Sequence, residues 1–167
     1  AEMNELELTG RARTHIVELG EPSCSLHYET VASLLAMRDA AAVDGIDLRP
    51  CSSFRDFQAQ LIIWNRKWNG ERPLYDRQGR LLQRAQLDDW HAMEAILCWS
   101  ALPGGSRHHW GSEVDVLDAS CIPEGYKVQL VPSEYVADGI FGKLTRWLDG
   151  NMHRFGFFRP YQNDRGG

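Results

Sequence analysis

The sequence predicts an α+β domain in which a small antiparallel sheet packs against several helices. Long segments with apolar residues at helical spacing occupy most of the first part of the chain. Short alternating or aromatic segments, such as Val114–Leu117 and Phe155–Phe158, follow them and are typical of strands. With 167 residues and a globular composition, the chain is long enough for one domain, and we expect a single domain over residues 1–167.

Helical periodicity predicts four helices, which cover residues 26–43, 54–68, 87–99 and 138–149. Ser25 is expected to cap the first helix at its start, and Gly45 is expected at its C-terminal end. The residues expected to face the core are Tyr28, Val31, Leu35 and Ala42 in the first helix, Phe57, Leu61, Trp64 and Trp68 in the second, Leu87, Trp90, Ile96 and Leu97 in the third, and Ile140, Phe141, Leu144, Trp147 and Leu148 in the fourth.

The predicted strands are short and lie between or after these helices. Residues 46–48 alternate before Pro50 and predict a first strand, and residues 114–117 predict a second one that carries Asp115. Residues 126–130 are expected to pair beside it, and residues 155–158 begin a final strand. Residues 69–82 contain Gly70, Pro73 and Gly79 among charges, which indicates a loop or small hairpin.

Composition excludes several classes of function. The formal net charge is −5 with both signs interspersed, so the sequence gives no reason to expect a nucleic-acid partner. No apolar run approaches the roughly 20 residues of a transmembrane helix, and the N-terminus lacks the apolar stretch of a secretory signal. The four cysteines form no C-x-x-C pair, which argues against a thiolate zinc site; buried thiols or one or two disulfides both remain open.

The most informative stretch runs from Ser106 to Asp115 and combines a hydroxyl, two imidazoles, a glycine and a carboxylate. Imidazole nitrogen and carboxylate oxygen are good zinc ligands, and a catalytic zinc usually takes three protein ligands and a water. Gly111 lets the backbone turn, so His108 and Asp115 could converge on one ion. The alternative is a buried His–Asp hydrogen bond that braces a turn.

The spacing Ser106-x-His108-x-x-Gly111-x-x-x-Asp115 resembles the S-x-H-x-x-G-x-x-x-D signature of VanY-type zinc D-alanyl-D-alanine carboxypeptidases. That group also includes lysostaphin-like endopeptidases and the hedgehog signalling domain. The resemblance implies that His108 and Asp115 bind Zn²⁺ and that Ser106 contacts the substrate. Glu113 departs from the pattern, since relatives usually have a small residue there.

An upstream segment, Ser52 to Gln60, resembles the S-G-Y-R-S-x-x-x-Q motif of the same family. The resemblance implies that Arg55 and Gln60 face the zinc and hold the substrate. A guanidinium suits this task because its planar donors can pair with a carboxylate or a developing oxyanion. The alternative for Arg55 is a surface salt bridge with Asp56 or another neighbour.

A third segment, Trp147 to Phe157, is similar to the family's W-L-x-x-N-A-x-x-F-G-F and supports the fold. The resemblance thus covers residues 26–161. Relatives complete the site with an E-x-x-H motif, whose Glu is the general base and whose His is the third zinc ligand. We expect the chain to stop at Gly167 before this motif and to be inactive alone, with His153 as a weaker third-ligand alternative and Tyr161 lining the far wall.

The resemblance implies a hedgehog/D-Ala-D-Ala peptidase-like fold whose small sheet carries the zinc site. The implied function is zinc-dependent hydrolysis of D-Ala-D-Ala or a related D-amino-acid peptide bond in the peptidoglycan stem peptide. We expect a monomer in the periplasm or cell envelope, a location inferred from the substrate. The alternative is a hedgehog-like zinc-containing binding module without peptidase activity.

Overall fold

Helices and short strands alternate along the chain in a computed structural model that describes residues 2–160. Contacts between residues divide the chain into two units. The first unit contains the N-terminal segment up to His15 together with Phe54–Gly111, and the second contains Ile16–Ser53 and Ser112–Arg159. The predicted α+β class is confirmed, because helices and small antiparallel sheets make up both units.

The first unit is mostly helical. Its elements are α1 (Glu5–Leu8), α3 (Phe57–Trp68), the hairpin β4 (Leu74–Tyr75) with β5 (Leu81–Leu82), α4 (Asp89–Trp99) and a 3-10 helix at Arg107–Trp110. Asp56 caps α3, since its carboxylate accepts a hydrogen bond from the backbone N–H of Ala59 at 2.7 Å. The predicted helices at 54–68 and 87–99 and the hairpin in 69–82 are therefore present, with starts shifted by two or three residues.

The second unit contains two antiparallel strand pairs and three helices. Its elements are β1 (Ile16–Gly20) with β2 (Ser23–His27), α2 (Tyr28–Val43), β3 (Leu48–Ser52) with β6 (Asp115–Asp118), α5 (Pro132–Tyr135) and α6 (Gly142–Asn151). In the second pair Ser52 lies opposite Asp115 and Pro50 opposite Val116, which leaves Cys51 in a bulge. This register places Asp115 at the first residue of β6.

The core of the second unit is formed by apolar side chains of α2 and α6 packed with β2 and β3. Its fully covered members include Leu26, Leu34, Ile46, Leu48, Phe141 and Leu144. The prediction for α6 is confirmed at Phe141, Leu144, Trp147 and Leu148. The prediction for α2 is correct only in part. Val31 packs against the core and Leu35 is half-buried, but Tyr28 and Ala42 are exposed. The buried residues are Leu34, Met37 and Ala41. The run of small and apolar residues in α2 leaves several faces equally apolar, so periodicity did not fix the buried one.

Several further predictions are wrong. Residues 126–130 form no strand. The final strand expected from residue 155 to 158 is also absent, because residue 155 ends a 3-10 helix, Gly156 terminates it, and residues 157–158 have no regular secondary structure. His27, and not Ser25, is the N-cap of α2, because the helix begins only at Tyr28 and the side chain of His27 accepts a hydrogen bond from the N–H of Glu29. Gly45 does follow α2 with a positive φ of 76°, as expected of a helix-terminating glycine. In α4 the side chains of Trp90 and Leu97 are exposed, while Ala92 and Ile96 are buried.

Two findings complete the fold. The four cysteines, all within the described part of the chain, are free thiols, so neither of the disulfides considered above is formed. Within residues 2–160, none of the helices is both long enough and apolar enough to cross a membrane.

Candidate active site

The residues from Ser106 to Gly111, which we name the motif loop, form a capped single turn. Ser106 is the N-cap of the 3-10 helix Arg107–Trp110, and its Oγ accepts a hydrogen bond from the backbone N–H of His108 at 3.2 Å. Gly111 ends the turn with a φ of 72°, a conformation in which a side chain is strained. The two motif residues on either side of His108 therefore fix the backbone from which its imidazole projects. His108 is 9% exposed.

Arg55 lies against the motif loop through its backbone. Its N–H donates to the carbonyl of His108 at 3.0 Å, and its own carbonyl accepts a hydrogen bond from the Nδ1–H of His109 at 2.6 Å. The two segments that resemble the family motifs are thus joined within the first unit. This agrees with the expectation that Arg55 and the metal-ligand candidate His108 serve one site.

The side chain of Arg55 is held by Gln60. The Nη1 of Arg55 donates to the Oε1 of Gln60 at 3.0 Å, and the Nε2 of Gln60 donates to the carbonyl of Ala101 at 2.7 Å. Gln60 is 1% exposed. Its amide therefore has internal partners for both its oxygen and its nitrogen, which suits a residue that orients Arg55.

His109 cannot take the place of a zinc ligand, because both ring nitrogens are already engaged. Nδ1 donates to the Arg55 carbonyl, and Nε2 accepts a hydrogen bond from the backbone N–H of Gly104 at 3.0 Å. This pairing defines a neutral ring with the proton on Nδ1. Burial, opposed in part by the bond to Arg55, lowers the pKa of His109 and keeps the ring neutral.

Asp115 belongs to the second unit, where it starts β6. Its carbonyl accepts a hydrogen bond from the thiol of Cys51 at 3.2 Å, and the hydroxyl of Tyr135 donates to the carbonyl of the next residue, Val116, at 2.7 Å. Burial, together with the negative charge of Asp115, raises the pKa of Cys51 to about 11. The thiol of Cys51 thus serves as a hydrogen-bond donor that braces the backbone at Asp115.

The predicted site residues are thus distributed over both units. Arg55, Gln60, Ser106 and His108 lie in the first unit, Asp115 lies in the second, and Tyr161 lies outside the described residues. In residues 2–160 the His, Cys, Asp and Glu side chains form no group of three or more suited to a metal ion. His153 is on an exposed 3-10 turn of the second unit. The imidazole of His108 and the carboxylate of Asp115 have the chemistry that zinc prefers.

The sequence did not show the hydrogen bonds of His109 or the burial of Gln60. A single histidine beside a motif histidine carries no pattern that reveals its partners, which are backbone groups of Arg55 and Gly104. Gln60 was visible as a motif residue. Its burial against Ala101 depends on tertiary packing, which spacing alone does not show.

Comparison with known proteins identifies the family. The VanY family, described as D-alanyl-D-alanine carboxypeptidase, matches residues 23–167. An uncharacterized protein of Haemophilus influenzae is 46% identical over 98 residues, which are 57% of this chain and 67% of that protein. A D-alanyl-D-alanine carboxypeptidase of Enterococcus faecalis is 29% identical over 130 residues. These cover 76% of this chain but 37% of the Enterococcus protein, so the chain spans only part of that relative.

Solved structures show the same fold. VanYB in complex with D-alanine-D-alanine superposes with a TM-score of 0.62 at 24% identity, covering 89% of this chain and 67% of that one. A mutant of a vancomycin resistance D,D-pentapeptidase VanY in complex with Zn(II) gives 0.60 at 24% identity, covering 90% and 68%. The LdcB LD-carboxypeptidase gives 0.58 at 22% identity, covering 90% and 60%.

These matches confirm the resemblance read from the motifs: the solved structures share the fold, and the family model describes D-alanyl-D-alanine carboxypeptidases. The family match extends over all three motif segments, from Ser52 to Phe157. The chain belongs to the VanY family of D-alanyl-D-alanine carboxypeptidases.

Proposed function

We propose that this chain supplies His108 and Asp115 as zinc ligands and Arg55 as the substrate-holding cation of a D,D-carboxypeptidase site. The observation that carries the proposal is the backbone hydrogen bond of 3.0 Å from Arg55 to the carbonyl of His108. It joins the two motif segments that the family resemblance assigns to substrate and metal. A fixed relation between a metal ligand and a guanidinium is what a site needs to orient a charged peptide end.

His108 and Asp115 fit zinc by their donor types, since one neutral imidazole and one carboxylate occur together in catalytic zinc sites. Zinc, when bound, acts as a Lewis acid toward the scissile carbonyl and makes a water molecule more acidic. His109 does not compete for the metal, because both nitrogens of its imidazole are engaged in hydrogen bonds. The third ligand and the general base are not assigned to any described residue.

Arg55 is proposed to pair with the terminal carboxylate of the substrate or with the developing oxyanion. Its guanidinium is oriented by the buried amide of Gln60, to which it is hydrogen-bonded. We therefore propose that Gln60 positions Arg55 and does not itself contact the substrate. Ser106 caps the motif loop, because its Oγ accepts a hydrogen bond from the N–H of His108. Its hydroxyl can also donate a hydrogen bond, and we propose that this donor contacts the substrate. That Tyr161 lines the far wall of the site stays a prediction.

The proposed substrate is a peptidoglycan stem peptide that ends in D-Ala-D-Ala. This assignment is supported by the family description and by VanYB, which was solved in complex with that dipeptide. Because peptidoglycan lies outside the cytoplasm, we propose that the protein works in the periplasm or cell envelope, as a monomer. The membership in a carboxypeptidase family favours this activity over a hedgehog-like binding module.

The test is a hydrolysis assay on the full-length protein, with and without a zinc chelator. Three pentapeptides are compared: one ending in D-Ala-D-Ala, one ending in L-Ala-D-Ala, and one with its D-Ala-D-Ala carboxylate blocked as an amide. We expect zinc-dependent D-Ala release from the first peptide alone. Cleavage of the blocked peptide would indicate an endopeptidase, and binding of the first peptide without turnover would indicate a binding module.

The matched variants are Arg55→Ala and Arg66→Ala. Arg66 is an exposed cation on α3 of the same unit, so its loss removes charge without touching the motif loop. We expect Arg55→Ala to reduce kcat/KM by about 2–4 kcal/mol of transition-state stabilisation, as for the loss of an oxyanion donor. Equal turnover by both variants would refute the role of Arg55.

A further inference from the structure

We propose that His109 is a positioning residue whose imidazole keeps Arg55 and His108 in register. This inference rests on the proposed function, since it assigns a device that serves Arg55 and His108. His109 is completely buried, and its ring makes a hydrogen bond at each nitrogen to the backbone of a different loop. A side chain used in this way is a rigid brace between two loops.

The first hydrogen bond of the brace holds the backbone carbonyl of Arg55. Nδ1–H of His109 donates to the Arg55 carbonyl at 2.6 Å, while the Arg55 N–H donates to the carbonyl of His108 at 3.0 Å. His108 and His109, which are consecutive in the motif loop, therefore hold the backbone N–H and the backbone carbonyl of Arg55. Because a displacement of about 1 Å in a catalytic group can cost roughly 10²-fold in rate, this double attachment has a direct bearing on catalysis.

The second bond joins the brace to the loop that precedes the motif loop. The backbone N–H of Gly104 donates to Nε2 of His109 at 3.0 Å. Gly104 has a φ of 90° and packs close to the ring of Phe57, the first residue of α3. His109 thus connects two segments through its ring: the loop at Gly104 and the residues at Arg55 that precede α3.

The N-terminal segment closes the space around the ring. A Cβ at Gly10 would lie 2.4 Å from Nδ1 of His109 and 2.7 Å from its Cγ, so only glycine allows this approach. His15 donates from Nε2 to the backbone carbonyl of His109 at 2.8 Å, and Gly10 accepts a hydrogen bond from the N–H of Phe57 at 2.9 Å. The N-terminal segment thus lies directly against the ring of His109.

Gly10 and His15 lie before residue 23, where the family match begins. The brace therefore uses residues that precede the range matched by the family. We infer that the N-terminal segment of this chain stabilises the orientation of His109 and, through it, the position of Arg55.

Two conservative substitutions separate the two bonds of the brace. In His109→Asn the side-chain amide takes the place of Nδ1 and can still donate to Arg55. In His109→Gln the amide takes the place of Nε2 and can still serve Gly104, but the donor to Arg55 is lost. We expect His109→Gln to lower kcat/KM by about 10–100-fold, mainly through kcat, because loss of an outer hydrogen-bond partner typically has that size. His109→Asn should stay closer to the unaltered protein.

A double variant distinguishes positioning of Arg55 from a general structural role. If His109 acts through the Arg55 side chain, His109→Gln should cost little further activity in a protein that already carries Arg55→Ala. Ile96→Ala serves as a control, since Ile96 is buried in α4 and its loss reduces the melting temperature without touching either loop. Independent, multiplying losses for His109→Gln and Arg55→Ala would overturn the proposal, as would equal losses for the Asn and Gln variants.

A measurement on the unaltered full-length protein keeps the proposal testable if His109→Gln fails to fold. Long-range ¹H–¹⁵N NMR spectra of the histidine rings should show His109 as a neutral ring with its proton on Nδ1, both with zinc and after zinc removal. A proton on Nε2 would overturn the brace. Loss of turnover in Arg55→Ala with unchanged turnover in His109→Gln would refute this inference alone, whereas unchanged turnover in Arg55→Ala would refute the proposed function.

Discussion

The guanidinium of Arg55 and the amide of Gln60 are joined by a hydrogen bond of 3.0 Å inside the first unit. The same amide donates to the carbonyl of Ala101 at 2.7 Å, and the side chain is 1% exposed. Spacing in the sequence suggested that both residues touch the substrate. The structure gives both the oxygen and the nitrogen of the Gln60 amide an internal partner, and one of these partners is Arg55. We therefore infer that Gln60 orients Arg55.

Replacing Gln60 with Leu should therefore reduce both stability and activity. The variant removes the buried amide and leaves the carbonyl of the half-buried Ala101 without this donor, at a cost of about 1 kcal/mol in the free energy of unfolding. Urea denaturation measures this loss, and kcat/KM on a D-Ala-D-Ala peptide should fall with it. Gln58→Leu is the control, since Gln58 is exposed on the same helix. Similar unfolding free energies for the two variants would contradict the assignment.

Replacing Gly111 with Ala should destabilise the motif loop. Gly111 has a φ of 72°, where an L side chain is strained by about 1–2 kcal/mol. Gly150→Ala is the matched control, because Gly150 lies within α6 with open space around its Cα, and alanine favours helix by about 0.5–1 kcal/mol over glycine. Thermal unfolding should show a lower Tm for the first variant and a higher one for the second. A Tm for Gly111→Ala at or above that of the unaltered protein would be inconsistent with this conformation.

Asp118 should make the second unit sensitive to acid. Burial opposes its charge, but hydrogen bonds from the hydroxyl and N–H of Ser120, the thiol of Cys121 and the N–H of Asp47 outweigh burial and lower its pKa. A lowered folded-state pKa gives a stabilisation that is present above the unfolded value of about 3.9 and is lost as the pH falls through the folded value.

The corresponding experiment compares urea unfolding of the unaltered protein, Asp118→Asn and Ser120→Ala across pH. The advantage of the unaltered protein over Asp118→Asn should be largest near neutral pH and shrink as the pH falls below about 4. Ser120→Ala should show a smaller effect of the same sign, because it keeps the carboxylate and removes the donor at 2.6 Å. A difference that does not change with pH would show that the charge of Asp118 does not contribute.

Sequence periodicity was sufficient for α3, α4 and α6, and the motif spacing was sufficient for the family. It did not reveal the hairpin of β1 and β2, whose strands lie on either side of Pro22. Each strand has only five residues, too few for alternation to stand out, and the last two residues of β2 were included in the predicted helix at 26–43. It also assigned Trp90 to the core, although that side chain is 67% exposed. Aromatic residues add to an apolar pattern wherever they point, so their direction is fixed only by tertiary packing.

The candidate site, like the fold, could be predicted from the sequence only in part. Residue types and spacing pointed to Arg55, His108 and Asp115, because metal and substrate chemistry restrict which side chains can serve. The brace formed by His109 could not be read from the sequence, since its partners are the backbone groups of Arg55 and Gly104. Any residue type has those groups, and so they leave no pattern in the chain.

The account depends most directly on His108 and Asp115 as zinc ligands, and zinc affinity of the full-length protein tests it. Competition titration with a chromophoric chelator should give one zinc per unaltered protein. His108→Ala and Asp115→Ala should each weaken that binding by more than the roughly 10–100-fold that loss of an outer hydrogen-bond partner costs. His91→Ala, at an exposed histidine of α4, should bind zinc as the unaltered protein does. Unchanged zinc affinity in both His108→Ala and Asp115→Ala would contradict the account.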